Sequence, residues 1–196
     1  MSKVLYIKTN IKEQSRTYQI SDAFIEEYKK SHPEDEIITL DLYKENIDFL
    51  RPEDLGAVFG PKTEESKNHK VLKYTYQFAQ ADKYIFADPM WNLGVPAMLK
   101  AYIDYVSVTG ITFKYTETGP VGLLKGKKAI HITSAGGNYE NAPVEMSHRY
   151  LQTILSFFGI EDIEFLAAYN LDVQGIDTQA ILDESIEKAK KLAVEF

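Results

Sequence analysis

Short apolar runs alternate with segments of helical periodicity along the whole chain. Lys3 to Lys8 is a compact apolar run and predicts a first strand. After a polar loop, Ile20, Ala23, Phe24 and Tyr28 recur at the spacing of one helix face, and Pro33 stops that helix. Ile37 to Leu42 predicts a second strand. The stretch from Tyr43 to Lys62 carries Pro52, Gly56, Gly60 and Pro61 and predicts irregular backbone. A helix is expected around Glu64 to Ala79, carried by Val71, Leu72 and Phe78, and a third strand from Lys83 to Asp88. Pro96 suits the first turn of a helix reaching about Val106. Residues 107–126 are rich in Gly and Thr and hold no long periodic segment. Lys128 to Thr133 predicts a fourth strand, and Pro143 opens a helix with Tyr150, Leu151, Ile154 and Phe158 on one face. Ile163 to Ala167 predicts a fifth strand, and Ile181, Leu182, Ile186, Ala189 and Ala193 mark a closing helix.

Strands alternating with helices imply an α/β fold with a parallel sheet covered by helices on both faces. No repeat, low-complexity tract or linker interrupts the pattern, so residues 1–196 read as one domain. With five strands, the flavodoxin-like order 2-1-3-4-5 is the better choice over the other doubly wound order. Ligands of such a sheet bind beyond the carboxyl ends of the strands, where the winding reverses. In this order that place lies among strands 1, 3 and 4.

Composition narrows the classes. The chain has no Cys, which removes disulfides, thiolate nucleophiles and thiolate metal sites and agrees with a cytoplasmic location. The first apolar run is too short for a signal peptide and is interrupted by Lys8, and no stretch approaches a membrane-spanning length. A net charge of −7 argues against nonspecific binding to nucleic acid or anionic membrane. Lys125-Gly126-Lys127-Lys128 reads as a solvated turn before a strand.

The unusual loops are those leaving strands 1, 3 and 4. The first runs from Thr9 through Asn10 to Ser15-Arg16-Thr17 and enters a helix. Free amides and the positive dipole end there suit a phosphate, with the Ser15 and Thr17 hydroxyls and the Arg16 charge as further donors; plain N-capping by Ser15 or Thr17 explains the same residues. The second reads Pro89-Met90-Trp91-Asn92-Leu93 and continues to Pro96. It offers a rigid apolar surface for a planar ring, with the Asn92 amide for a polar edge; alternatively Trp91 packs on the adjacent helix. The third is Ser134-Ala135-Gly136-Gly137, where paired glycines allow close backbone approach to a flat ligand or simply a tight turn. Three such loops at adjacent strand ends are the strongest indication of a binding site. No G-x-G-x-x-G, P-loop or G-x-S-x-G pattern occurs. His131 and Ser134 point to opposite faces of one strand and cannot pair. His32, His69 and His148 lack metal-ligand spacing, the first two reading as surface residues and the third as helical.

At these loops the chain resembles the FMN-dependent NADH-azoreductase family of flavodoxin-like quinone reductases, over essentially its whole length. The most specific matches are Pro89 to Leu93, Leu99-Lys100 with Tyr102 and Asp104, Thr112 to Tyr115 through Gly119-Pro120 and Gly122-Leu123, and Ser134 to Gly137. The resemblance implies noncovalent FMN near the interface of a homodimer. It implies hydride transfer from NADH to quinones or azo compounds by a ping-pong scheme, with no catalytic side chain acting as nucleophile. By the same resemblance Ser15, Arg16 and Thr17, with Asn10, hold the phosphate. Met90, Trp91, Asn92 and Leu93 run along the isoalloxazine, and Ser134, Ala135, Gly136 and Gly137 meet its other edge. Tyr115 and Phe157 line the substrate side, partly across the dimer. Trp91, Leu93 and Ala135 depart from the family's usual Tyr, Phe and frequent Arg, which alters the pocket walls. The alternative within the same fold is an electron carrier without NADH oxidase activity.

Overall fold

The computed structural model describes residues 1–12 and 14–196. Strands β1 (Lys3–Lys8), β2 (Glu36–Asp41) and β3 (Lys83–Pro89) are interleaved with helices α1 (Arg16–Ser31), α2 (Leu55–Phe59) and α3 (Leu72–Gln80). Helix α4 (Ala97–Val106) precedes a hairpin of β4 (Phe113–Thr116) and β5 (Gly119–Gly122). Strand β6 (Lys128–Ser134), helix α5 (Ser147–Phe158), strand β7 (Asp162–Ala168) and helix α6 (Thr178–Glu195) complete the chain.

The main sheet has the order β2-β1-β3-β6-β7 with every pairing parallel, which is the expected flavodoxin-like order once the hairpin is set aside. Inner strands β1, β3 and β6 are apolar on successive residues because both faces are covered. Val4, Tyr6, Ile85, Ile130 and Ile132 face α1 and α6, meeting Phe24, Tyr28, Leu182 and Ala189. Leu5, Ile7, Tyr84, Phe86 and Ala129 face α3, α4 and α5, meeting Phe78, Leu99, Leu151 and Phe158. Truncating a fully buried ring such as Phe24 or Phe158 to Ala removes about 3–5 kcal/mol.

Several local expectations are corrected. The helix expected over Glu64 to Ala79 is a 3-10 turn, Glu65–Asn68, and then α3, because His69 adopts extended backbone between them. Pro143 does not open α5. The chain turns through Asn141 at φ 54°, and the Met146 amide is drawn to the Leu93 carbonyl at 3.0 Å, so helical geometry begins at Ser147. The Gly- and Thr-rich stretch folds into the β4–β5 hairpin. Lys127 is not wholly solvated: half-buried, it donates to the carbonyls of Ala79 (3.0 Å) and Ala81, and burial lowers its ammonium pKa. His32 and His69 are partly buried, His32 stacking on Tyr28 at 4.4 Å.

Candidate functional site

The carboxyl ends of β1, β3 and β6 are adjacent, and their loops meet there. The β1 loop is drawn inward by the Thr9 amide donating to Ala87 O at 2.9 Å. Asn10 is buried, its side-chain oxygen accepting from the Lys12 amide at 3.0 Å, an Asx-type turn. Its own amide donates to the Tyr18 hydroxyl at 2.7 Å, and burial raises the Tyr18 phenol so that it remains protonated. Ser15 caps α1 by accepting from the Tyr18 amide at 3.0 Å. That leaves the Arg16 and Thr17 amides of the first turn without intrahelical acceptors, and no acidic residue sits in that turn. Capping and anion binding are therefore compatible rather than rival readings of Ser15.

The β3 loop turns back within four residues. Trp91 N donates to Gly94 O at 2.9 Å and Gly94 N to Trp91 O at 3.1 Å, enclosing Asn92 at φ 50° and Leu93 at φ 70°. Positive φ at both central residues is the type I′ pattern. Asn tolerates it; a left-handed Leu costs roughly 1–2 kcal/mol, a strain that clusters at ligand-binding loops. Met90 is buried, whereas Trp91 stands 36% exposed at the mouth rather than packed away, and Asn92 and Leu93 are exposed.

The β6 loop is tied to the loops beside it. Met90 N donates to Ser134 O at 3.0 Å, and the Thr17 and Ser134 hydroxyls are 2.7 Å apart, so loops 1, 3 and 4 are joined by direct bonds. Ala135 N donates to Ala168 O, and the amides of Leu171, Asp172 and Asn170 donate to the carbonyls of Ala135, Gly136 and Gly137. A Cβ on Gly136 would lie 2.3 Å from Asp172 Oδ2, so this glycine makes room for Asp172; one on Gly137 would press on the Tyr139 ring.

Asn10, Ser15, Arg16, Thr17, Met90, Trp91, Ser134, Ala135 and Gly136 all line one cleft of about 270 Å³. Asn92, Leu93 and Gly137 lie outside its lining. Tyr115 and Phe157 are also outside it, both packed on Phe113 as an aromatic ledge on the hairpin and α5, with ring centroids 5.6 and 4.6 Å away. Sequence reasoning missed the fourth wall, Leu171 and Asp172 after β7. Asp172 Oδ1 accepts from Arg16 Nη1 at 2.7 Å across 156 residues; a polar turn after the fifth strand was the only signal. A larger groove of about 670 Å³ lies to the side, between α5, β7 and α6.

The cleft fits a flat phosphorylated ring system. One end offers free helix amides, Arg16 and Lys12 for an anion, and the other an apolar wall of Met90, Trp91 and Leu171. Among the described residues no cluster of three or more metal-ligating side chains exists.

Comparison with known proteins agrees with this geometry. The family described as having the flavodoxin-like fold matches residues 2–193. A protein of Clostridium perfringens (strain ATCC 13124) named FMN-dependent NADH:quinone oxidoreductase is 69% identical over 198 residues, covering all of both chains. One of the same name from Clostridium beijerinckii is 62% identical, again over the full length of both. The crystal structure of azoreductase from Bacillus anthracis str. Sterne superposes with TM-score 0.90 at 36% identity, covering 100% of each chain. An FMN-dependent NADH-azoreductase from Bacillus anthracis str. Ames Ancestor, solved in complex with FMN, superposes with TM-score 0.88 at 29% identity, covering 100% of this chain and 99% of that one. With the family model matching residues 2–193 and relatives of 62–69% identity along its full length, this chain belongs to the flavodoxin-like fold family.

Proposed function

We propose that this chain is an FMN-dependent NADH:quinone oxidoreductase that also reduces azo compounds. The observation that carries it is the bonding of three distant loops into one cleft with an anion-ready helix end and an apolar wall. Relatives and structural neighbours bearing these activity names over the full chain support it.

Bound FMN supplies the hydride chemistry. The chain's own residues bind and orient. Ser15, Arg16, Thr17 and Asn10 would hold the phosphate; Met90 and Trp91 would form one wall, with Asn92 and Leu93 at the rim, and Ser134 to Gly136 the other edge, with Gly137 just beyond. Asn92 and the Gly136-Gly137 backbone, at and just beyond the rim of the cleft, would supply polar contacts to the ring edge. NADH and the acceptor use the open face in turn, by a ping-pong order. Tyr115 lies 72% exposed on the hairpin, which fits a homodimer in which the ledge of one chain covers the cleft of the other. A cytoplasmic location suits an enzyme that consumes NADH.

Steady-state rates with benzoquinone and with methyl red, each with NADH and NADPH, test the activity. NADH-dependent turnover of both acceptors is expected; a flavin-loaded protein inert to NADH would instead be an electron carrier. Asn92→Ala is expected to lower turnover about tenfold, roughly 1.4 kcal/mol of barrier; unchanged affinity and turnover would remove Asn92 from this role.

A further inference from the structure

Strand alternation places Tyr84, Phe86 and Asp88 of β3 on the α5 side of the sheet, beside Ala129, His131 and Thr133 of β6. Four of these six are ordinary core residues or Thr; the other two, Asp88 and His131, are ionisable and fully buried. Among the described residues neither Asp88 oxygen has a hydrogen-bond partner. His131 Nε2 lies 3.2 Å from Asp88 Oδ1, an ion-pair distance at which the two atoms are not aligned for a hydrogen bond. On its other side His131 Nδ1 lies 3.4 Å from His148 Nδ1, and His148 stacks on Phe165 at 3.8 Å. His148 is half-buried and lines the lateral groove.

Proton positions follow from these distances. Two facing ring nitrogens share a single proton. With no other donor on Asp88 among the described residues, the proton that can reach it is the one on His131 Nε2, so His131 carries Nε2–H and accepts at Nδ1. His148 must then donate from its own Nδ1, leaving Nε2 as a proton acceptor at the groove end. Two members stand at the roots of the β3 and β6 loops, and the third lies in the first turn of α5. Asp88 precedes Pro89-Met90, and His131 lies three residues before Ser134. His148 follows Met146, whose amide holds Leu93 O.

We infer that Asp88, His131 and His148 form a reversible one-proton relay from the lateral groove to the root of the cofactor loops. One proton enters at His148 Nε2; His148 passes its Nδ1 proton to His131 Nδ1, and His131 passes its Nε2 proton to Asp88. The carboxylate becomes the neutral acid, both imidazoles end neutral with exchanged tautomers, and no electron moves. The charged groups around the groove end are Glu140 and Glu145 before α5, Arg149 on α5, and Glu184 and Lys188 on α6, the last two paired with each other at 2.7 Å. Glu145 also accepts the His148 amide at 3.0 Å. Burial and the adjacent His131 push the His148 pKa down to about 4, which keeps its ring neutral and able to pass a proton on. Negative charge gained by a ring system held at these loops would be offset by a proton arriving at Asp88.

The relay is tested first in the FMN-free wild-type protein, by nitrogen-15 NMR of the imidazoles across pH. His148 as the Nδ1–H form and His131 as the Nε2–H form, exchanging together in one transition as pH falls, are expected. Independent titration of the two rings, or other tautomers, overturns the relay. The second measurement rests on the proposed FMN site: the midpoint potential of the FMN-loaded protein and of Asp88→Asn against pH. Uptake of one extra proton with two electrons steepens the wild-type slope by about 30 mV per pH unit, since a tenfold change shifts a two-electron couple by that amount. Parallel slopes throughout overturn the coupling. Failure to bind FMN refutes the proposed function instead, and the NMR result still decides the relay.

Discussion

Arg16 is the residue whose role depends most on what occupies the cleft. Its pairing with Asp172 is largely solvent-exposed, at 40% and 67% for the two side chains, so it is worth no more than about 1 kcal/mol. A charge-assisted bond to a phosphate is worth about 1.5–3 kcal/mol, enough to displace it. Arg16→Gln is therefore expected to weaken FMN binding about tenfold, roughly 1.4 kcal/mol, while leaving riboflavin affinity unchanged. Fluorescence titration of both ligands checks this; equal losses would place Arg16 away from the phosphate. Gly136→Ala forces the new Cβ onto the exposed Asp172 carboxylate, which must swing away from the cleft wall and from Arg16, so FMN affinity is expected to change by less than about tenfold. At this scale the sequence disclosed Ser15 and Thr17, because a capping residue before a helix is a local signal. Asp172 was not legible, since its contact with Arg16 joins residues 156 apart. Asp88 and His131 each sit within an apolar strand run, and only the register of β3 against β6 brings them together.

Among the elements, the β4–β5 hairpin carries the consequence least visible in periodicity. Its strands are only four residues each, too short to show an alternating pattern. The reason for Gly122 appears only in three dimensions. Gly122 lies against the cap of α5, where an added Cβ would come within 2.2 Å of Gly159 N and 2.3 Å of Phe158 C. Gly159 in turn ends α5 at φ 96°, and Leu124 N donates to Phe158 O at 2.8 Å, so backbone docks on backbone. Gly122→Ala is expected to destabilise the protein by about 1–3 kcal/mol, the range of overpacking, read from urea unfolding. A neutral result would mean that the hairpin floats free of α5. The longer elements were legible because their periods are sustained; α1 and all five strands of the main sheet fall where the apolar pattern puts them, within a residue or two. The β3 loop was legible as an apolar surface but not as a type I′ turn, because Asn-Leu lacks the glycine that usually announces one.

The whole molecule is clasped at the opposite end of the sheet by Asp35. Burial alone would raise this carboxyl. Hydrogen bonds from Tyr28 Oη and the Ser2 amide, both 2.6 Å, with Lys83 and the N-terminal amine nearby, hold it below the usual carboxylate range. A lowered folded-state pKa stabilises the protein above the unfolded value of about 3.9 and ceases to do so as pH falls through the folded one. Asp35→Asn is accordingly expected to be less stable than wild type at neutral pH, with the gap closing below about pH 3.9; a gap independent of pH would contradict the clasp. Assembly is tested by sedimentation, where a dimer is expected, and by Tyr115→Ala, which should slow acceptor reduction and spare FMN affinity.

The central claim is that three loops grip FMN so that NADH reduces it. An anaerobic NADH titration of the FMN-loaded protein, followed by the visible flavin absorbance, tests it most directly. Stoichiometric bleaching by NADH and full recovery of the band on adding benzoquinone are expected. A protein that takes up no FMN, or whose bound flavin stays oxidised in excess NADH, would contradict it.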